Sequence, residues 1–455
     1  MAAPRSPLLV PPRLASVARR LRRLPGLIGL TGPLRAAAVL PALATLGMLA
    51  ACERVAPRRS YVEQAVALAP DIERATGLRF RTPAKVEVRD RAQVRAFLTR
   101  TLDEPDARAE LASQQALYRR LGMLGDSTDL RALLLRVLDE QVVGWYDPRT
   151  KTLYVVQGAD SASAEVTLRH ELVHALQDQY VNLDSLLRAR GQNDRTAAAQ
   201  AALEGMATWV QMGTGDELAA RAPGAWERVR GAIRENMERM PALSAAPLVV
   251  RETLLFPYLS GAEFARRLTT AGHADSALLR LPVSTEQVLH ARAYAGGGKR
   301  PDAPVQVALP RLPGTVVGEN TLGEFETRLL LFHHTNDLNL AARAAAGWAG
   351  DRWYLMGLPG GGEGLAWLTV WDTDADAAEF YDALGTVAGA RYRGATTTAG
   401  ATPTTRVVTA AGAPGGPRSV SVRALSVQGR PAVLLTDAPQ GVAFAVDVQR
   451  VTLAR

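Results

Sequence analysis

Between residues 161 and 180 the apolar positions recur at helical spacing. Leu168, Leu172, Ala175 and Leu176 fall on one side of a helical wheel, with His170 and His174 nearly opposite. The pattern predicts an amphipathic helix, capped at Ser161 or Ser163, that buries its leucine face and presents its histidines to a cleft. A second helical pattern runs from about Asp194 to Met212 and stops at Gly213-Thr214-Gly215. More helix is predicted at 225–240 and 258–271, and a short one starts at Ser284-Thr285-Glu286-Gln287. Ahead of the motif helix the chain is β-rich. Gln141–Tyr146 and Thr152–Val156 flank Asp147-Pro148-Arg149-Thr150, a good hairpin turn. From Tyr61 to about Glu140 helical periodicity alternates with one strand-like stretch, Ala84–Val88.

Glycine and proline concentrate from 295 to 315, which reads as a linker or long loop. Beyond it, helical patterns occupy 321–346, followed by strands at Trp353–Gly357 and Leu365–Trp371. Asp372, Asp374 and Asp376 imitate the start of a calcium-binding loop, but Ala377 and Ala383 stand where that loop needs glycine and glutamate. They read instead as an acidic helix start, with the helix running to about Leu384. Further strand-like runs lie at 406–409, 418–424, 431–436 and 442–448, and Trp348, Trp353, Trp367 and Trp371 are spaced like the core of a sheet. The expected fold class is α+β: one domain at 61–300, a linker at 301–315 and a smaller α+β domain at 316–455.

Composition changes the picture mainly at the front. Residues 1–51 contain no acidic residue and seven arginines, and an apolar run from Ala36 to Ala51 ends at Cys52, the only cysteine. A basic region, a short apolar core and small residues before a cleavage point make a secretory signal. Leu49-Ala50-Ala51-Cys52 resembles the lipobox of bacterial lipoproteins, which implies lipidation of Cys52 and an extracytoplasmic, membrane-anchored protein, with 52–60 as a tether. Taking the seven leader arginines from the 53 basic residues leaves 46 against 45 acidic, so the formal charge of +8 belongs mostly to the leader. No basic tract remains to suggest nucleic-acid binding.

The chemistry concentrates in His170-Glu171-Leu172-Val173-His174 and in Glu204, which stands in the following helix. Histidines four apart on a helix lie about 40° apart around it and roughly 6 Å apart along it, so both rings can face one point. With Glu204 they supply the three ligands of a catalytic zinc that keeps a fourth position open. Glu171 projects beside the metal, where it can take a proton from water. Asp178, four residues after His174, is a rival third ligand, but a carboxylate one turn further along the same helix points poorly at a tetrahedral metal.

These residues resemble the zincin metallopeptidases, and among them the gluzincins typified by thermolysin-like enzymes. The matching pieces are Val142–Tyr146, Leu153–Val156, His170–His174 and Glu204, about a seventh of the chain. The metzincin variant is excluded, because Gln177 and Tyr180 stand where it requires glycine and a third histidine. The resemblance implies a zincin-like catalytic domain at 61–300 that hydrolyses peptide or protein substrates, with Glu171 as general base. It also implies a donor to the developing oxyanion, for which Tyr258, His290 and Tyr294 are candidates. The edge strand around Gly144–Tyr146 would pair with the extended substrate. Where many such enzymes place an aspartate four residues after the ligand glutamate, this chain has Thr208; Asp178 or a backbone carbonyl is then expected to orient a histidine. The alternative is a catalytically silent, zincin-like lipoprotein serving as a binding or scaffold protein. Retention of Glu171 argues against it.

Overall fold

The computed structural model describes residues 40–41, 60–158, 161–187, 191–212, 225–295, 301–392, 395–400, 402 and 404–454. Cys52, with nearly all of the expected leader and tether, lies outside the described residues. Among those that are described, no helix is long and apolar enough to cross a membrane. The fold is α+β.

The first half is built around a small mixed sheet. A two-residue strand β1 (Leu40–Pro41) is followed by helix α1 (Tyr61–Thr76), which is entered through a capping box between Ser60 and Glu63 and left through Gly77 at φ 71°. Strand β2 (Lys85–Arg89) leads into helices α2 (Arg91–Asp103), α3 (Pro105–Arg120) and α4 (Leu130–Gln141), whose apolar faces share one core. Strands β3 (Gly144–Asp147) and β4 (Thr152–Val156) form the expected hairpin. Its turn is held by Asp147 Oδ1, which accepts the backbone N–H of Arg149 at 2.9 Å. The sheet order is β1-β3-β4-β2, with β2 parallel to β4 and the other pairs antiparallel.

The hairpin feeds helix α5 (Ser161–Gln177), which carries the histidine motif; α6 (Asn193–Gln211) and α7 (Leu248–Thr270) pack beside it, and the short α8 (Thr285–Leu289) follows. The α6 face that approaches its neighbours is made of small residues. Ala198, Ala201, Ala202 and Ala207 are fully buried, and an added Cβ at Gly205 would lie 2.0 Å from the Gly261 carbonyl oxygen. Small side chains let the helix axes come close, and that closeness seals the interior.

Residues 301–315, read from sequence as a linker, contain strand β5 (Gln306–Ala308), and Val305, Val307, Leu309 and Leu312 are buried. A seven-stranded antiparallel sheet follows. It comprises β6 (Thr315–Asn320), β7 (Trp348–Gly357), β8 (Glu363–Trp371), β9 (Thr396–Ala399), β10 (Thr405–Ala410), β11 (Arg418–Val427) and β12 (Arg430–Pro439), in the order β6-β7-β8-β12-β11-β10-β9. Helices α9 (Gly323–Thr335), α10 (Leu338–Ala345) and α11 (Asp374–Arg391) join the core on one face. Along β8 the two faces alternate with the pleat. Leu365, Trp367 and Trp371 enter the helix-covered core, whereas Ala366, Leu368 and Val370 enter a second core that includes Val307 of β5 and Phe444. All four tryptophans are at most 2% exposed, as their spacing predicts.

The predicted strand at 442–448 is absent. Phe444 and Val446 are buried on the second face while forming no ladder, so the alternation there reports burial without pairing. The chain instead ends in β13 (Thr452–Ala454), paired with β5.

The helix-covered core does not stop at the middle of the chain. Val94, Leu117, Leu138 and Leu254 belong to the same cluster as Leu330, Trp367, Phe380 and Leu435. Polar contacts cross the same boundary: Tyr118 donates to Glu326 Oε1 at 3.1 Å, and Asn320 Nδ2 donates to Asn193 Oδ1 at 2.7 Å.

Candidate metal centre

Helix α5 is amphipathic in composition, yet both of its faces are buried. Leu168, Leu172, Val173, Ala175 and Leu176 pack in a core with Leu153 and Val155 of β4 and with Ala198, Ala201 and Ala202 of α6. On the other side His170, Glu171 and His174 are also fully buried. The cleft predicted from the wheel is closed, because the alanine- and glycine-rich surface of α6 and the crossing of α7 cover it.

Three ligand atoms converge there. His170 Nε2 lies 3.2 Å from Glu204 Oε2, His174 Nε2 lies 3.5 Å from the same oxygen, and the two Nε2 atoms are 3.1 Å apart. The outer nitrogens are both engaged with amide oxygens: His170 Nδ1 with Gln211 Oε1 at 2.7 Å, and His174 Nδ1 with Gln177 Oε1 at 2.8 Å. An amide oxygen accepts only, so each Nδ1 carries its hydrogen, and each Nε2 is the nitrogen left to present a lone pair inward when the ring is neutral. With both rings neutral, two lone pairs and a carboxylate oxygen facing one another in a dry interior repel unless a proton or cation lies between them. The group can hold a metal ion.

The electrostatics of the centre follow from burial and proximity. Burial lowers the basicity of His170, against the opposing pull of Glu204. It also works against ionisation of Glu204, but the neighbouring His174 and His170 outweigh it and hold that carboxyl down at about 2. Burial and then the charge of Glu204 push Glu171 well above the usual carboxylate range. Glu171 Oε2 accepts the backbone N–H of Tyr146 in β3 at 2.8 Å, while its other oxygen is buried without a partner. Tyr258 of α7 is fully buried, its ring centroid 6.4 Å from that of His170. Burial, Glu204 and Glu171 all raise its phenol, whose oxygen makes no well-formed hydrogen bond.

Not every residue named from sequence arrives here. His290 caps the end of α8 and bonds Glu324 Oε1 at 2.7 Å rather than any of the three ligands. Tyr294 donates to the Arg280 carbonyl at 2.8 Å. Asp178 accepts from the Tyr146 hydroxyl at 2.8 Å, from Lys151 Nζ at 2.7 Å and from the Leu183 N–H at 3.1 Å. It therefore neither joins the ligands nor orients a histidine.

Two glutamines that sequence reasoning passed over do the orienting. Gln177 stands three residues after His174 and also donates to the Leu203 carbonyl at 3.0 Å; Gln211 stands seven residues after Glu204. Spacings of three and seven keep a helix face, and that was the available signal.

A family model described as a domain of unknown function (DUF8575) matches residues 311–443. No curated protein and no solved structure matches the chain. The matched stretch lies in the second half and contains none of His170, Glu171, His174, Glu204 and Tyr258.

Proposed function

We propose that this protein is a zinc metallopeptidase of the zincin type, anchored outside the cytoplasm through a lipidated Cys52. The observation that carries the reading is the spacing of the three ligand atoms. Ligands at 2.0–2.2 Å from a tetrahedral zinc stand roughly 3.3–3.5 Å from one another, and the three separations here are 3.1, 3.2 and 3.5 Å. The fit extends to chemistry: two neutral imidazoles and one carboxylate leave a fourth position open, as catalytic zinc requires.

Bound zinc would supply a Lewis acid and a water acidified toward neutrality. Glu171 would then take the proton of the attacking water on its unpartnered oxygen and hand it to the leaving amine. Its other oxygen stays fixed by the Tyr146 N–H, so the carboxylate is aimed by the same strand that would align the substrate. The outer edge of that strand pairs antiparallel with Leu40–Pro41 of the expected leader, so after processing at Cys52 the same edge would be open to an extended segment. Tyr258, the sole oxyanion candidate of the three found beside the ligands, would donate its hydroxyl to the developing negative charge. Gln177 and Gln211 hold the two rings in the tautomer that points Nε2 inward.

One observation favours a second reading, in which the same ion only braces the fold: all five residues of the centre are fully buried. Metal analysis with a Glu171→Gln variant separates the two. The peptidase reading expects one equivalent of zinc in both proteins and hydrolysis of an unstructured protein substrate by the parent alone. Equal zinc with no hydrolysis by either protein would support the bracing role, and no zinc in either would remove both readings. For the anchor, Cys52→Ser is expected to release the protein from membranes; undiminished membrane retention would count against lipidation.

A further inference from the structure

The junction between the two halves holds a second acidic group, in which one oxygen each from Glu286, Asp302 and Asp372 lies within 4.8 Å of the others. The three come from separate segments: α8, the stretch entering β5, and the end of β8. Their backbones are fixed. Asp302 N donates to the Ala293 carbonyl at 2.8 Å, Asp372 N donates to the Gly347 carbonyl at 2.9 Å, and Gln287 Nε2 donates to the Asp302 carbonyl.

Glu286 is the anomaly. Its residue is 6% exposed, and among the described residues its carboxylate has no hydrogen bond and no ion pair. Each of the nearby buried acids has at least one donor. Asp194 accepts from the Thr285 N–H at 2.9 Å and from its hydroxyl; Asp351 accepts from Leu322 N, Gly323 N and Trp367 Nε1, each at 2.9 Å; Glu324 pairs with His290 at 2.7 Å. Among the described residues, the charges that raise Glu286 are negative: Glu324, Asp302, Asp372 and Asp194. With burial they drive its carboxyl up to about 9. An unpartnered buried carboxylate aimed into two others is stable when a cation completes it.

We infer that Glu286, Asp302 and Asp372 form a binding site for a hard divalent cation of the calcium type, which fastens α8 and Asp302 to the end of β8. The donors are all oxygen, which disfavours zinc or copper and suits calcium. Their separations fit inside a coordination shell of roughly 2.3–2.6 Å radius. Asp302 and Asp372 lie toward the surface, so the remaining positions are open to water. The site is independent of the histidine centre and of any peptidase activity.

The test uses the full-length chain, loaded with zinc and then titrated with calcium alone, magnesium alone or terbium. Expected are a calcium-dependent rise of a few degrees in Tm, with a much weaker response to magnesium, and tryptophan-sensitised terbium emission that calcium competes away. Glu286→Gln and Asp372→Asn should each weaken calcium at least tenfold while leaving the zinc content unchanged. Glu286→Gln should also be at least as stable as the parent in calcium-free buffer, because the neutral amide replaces a crowded carboxyl that must otherwise stay protonated. Absence of both the Tm shift and the terbium emission at millimolar ion would overturn the assignment. Lys299 and Arg300, which precede Asp302 in sequence, supply the competing arm. A Lys299→Ala/Arg300→Ala variant that keeps calcium binding supports the site. If that variant loses stability in calcium-free buffer and the parent ignores calcium, a side-chain ion pair replaces it.

Discussion

Gly205 and Gly261 meet backbone to backbone: a Cβ on Gly205 would stand 2.0 Å from the Gly261 carbonyl oxygen, and a Cβ on Gly261 would stand 2.1 Å from the Ala201 carbonyl oxygen. Gly205 follows Glu204 directly, and Gly261 lies one helical turn past Tyr258. The contact therefore sets how near the tyrosine comes to the ligand carboxylate.

Gly205→Ala tests this contact through the sign of its effect. In an ordinary helix interior the change stabilises by about 1 kcal/mol. Here the added methyl meets backbone that cannot rotate away, and overpacking costs about 1–3 kcal/mol or more. Denaturant unfolding is expected to show a net loss; a gain in stability would mean that the helices slide apart freely.

Gln211→Leu should lower zinc affinity about 10–100-fold by freeing the ring of His170. Competition with a chromophoric chelator measures it. An unchanged affinity would show that helix packing alone orients that ring.

Tyr258→Phe keeps the ring and removes the hydroxyl. On the peptidase reading kcat falls roughly 10²–10³-fold, while zinc content and KM stay near the parent values. A fall in zinc content would instead make the tyrosine part of the metal's support.

The histidine motif, the helix that carries Glu204 and the hairpin before them were legible in sequence because each is a local pattern. What stayed hidden depends on distance between elements. Nothing local says that Ala198, Ala201 and Gly205 would close the cleft; helical spacing puts Gln177 and Gln211 on the right faces, but only the fold brings their amides to the rings in the place left by Thr208. The C-terminal sheet shows the same division. Period-two runs located β8, β11 and β12, but at 442–448 that period marks residues lying across a sheet face. Asp372 shows it again: dismissed as part of a linear calcium loop, it meets Glu286 and Asp302 only through the tertiary fold.

His334 gives a separate pH dependence. Its Nε2 donates to the Leu121 carbonyl at 2.8 Å, and burial lowers its pKa to about 4, against that bond and with help from His333 and Arg391. The unfolded chain takes up this proton near 6.5 while the folded chain resists it down to about 4. The stability contributed is present above pH 6.5 and is lost as pH falls toward 4, by at most about 1.4 kcal/mol per pH unit. His334→Gln should flatten that part of the stability profile; an unaltered slope would assign it elsewhere.

Arg418 and Asp437 form a buried ion pair on neighbouring strands, each side chain 4% exposed. Arg418→Met leaves the carboxylate with the Tyr392 hydroxyl at 3.2 Å as its side-chain donor among the described residues and with the charge of the nearby Arg120, and should cost about 3 kcal/mol. The double change Arg418→Met/Asp437→Leu is expected to recover most of that loss. Failure to recover would show that shape, rather than charge, limits the site.

A family is outlined where similarity ends and a folding unit where burial ends, and in this chain the outlines differ. Leu329, Leu330 and Leu331 lie inside the matched segment 311–443, yet they share a core with Leu117, Tyr118, Leu254 and Leu255, which lie outside it. Cut at the family's borders, the segment would carry away a raw apolar face. Any protein that bears it without this N-terminal half must cover that face with another fused domain or with a partner chain.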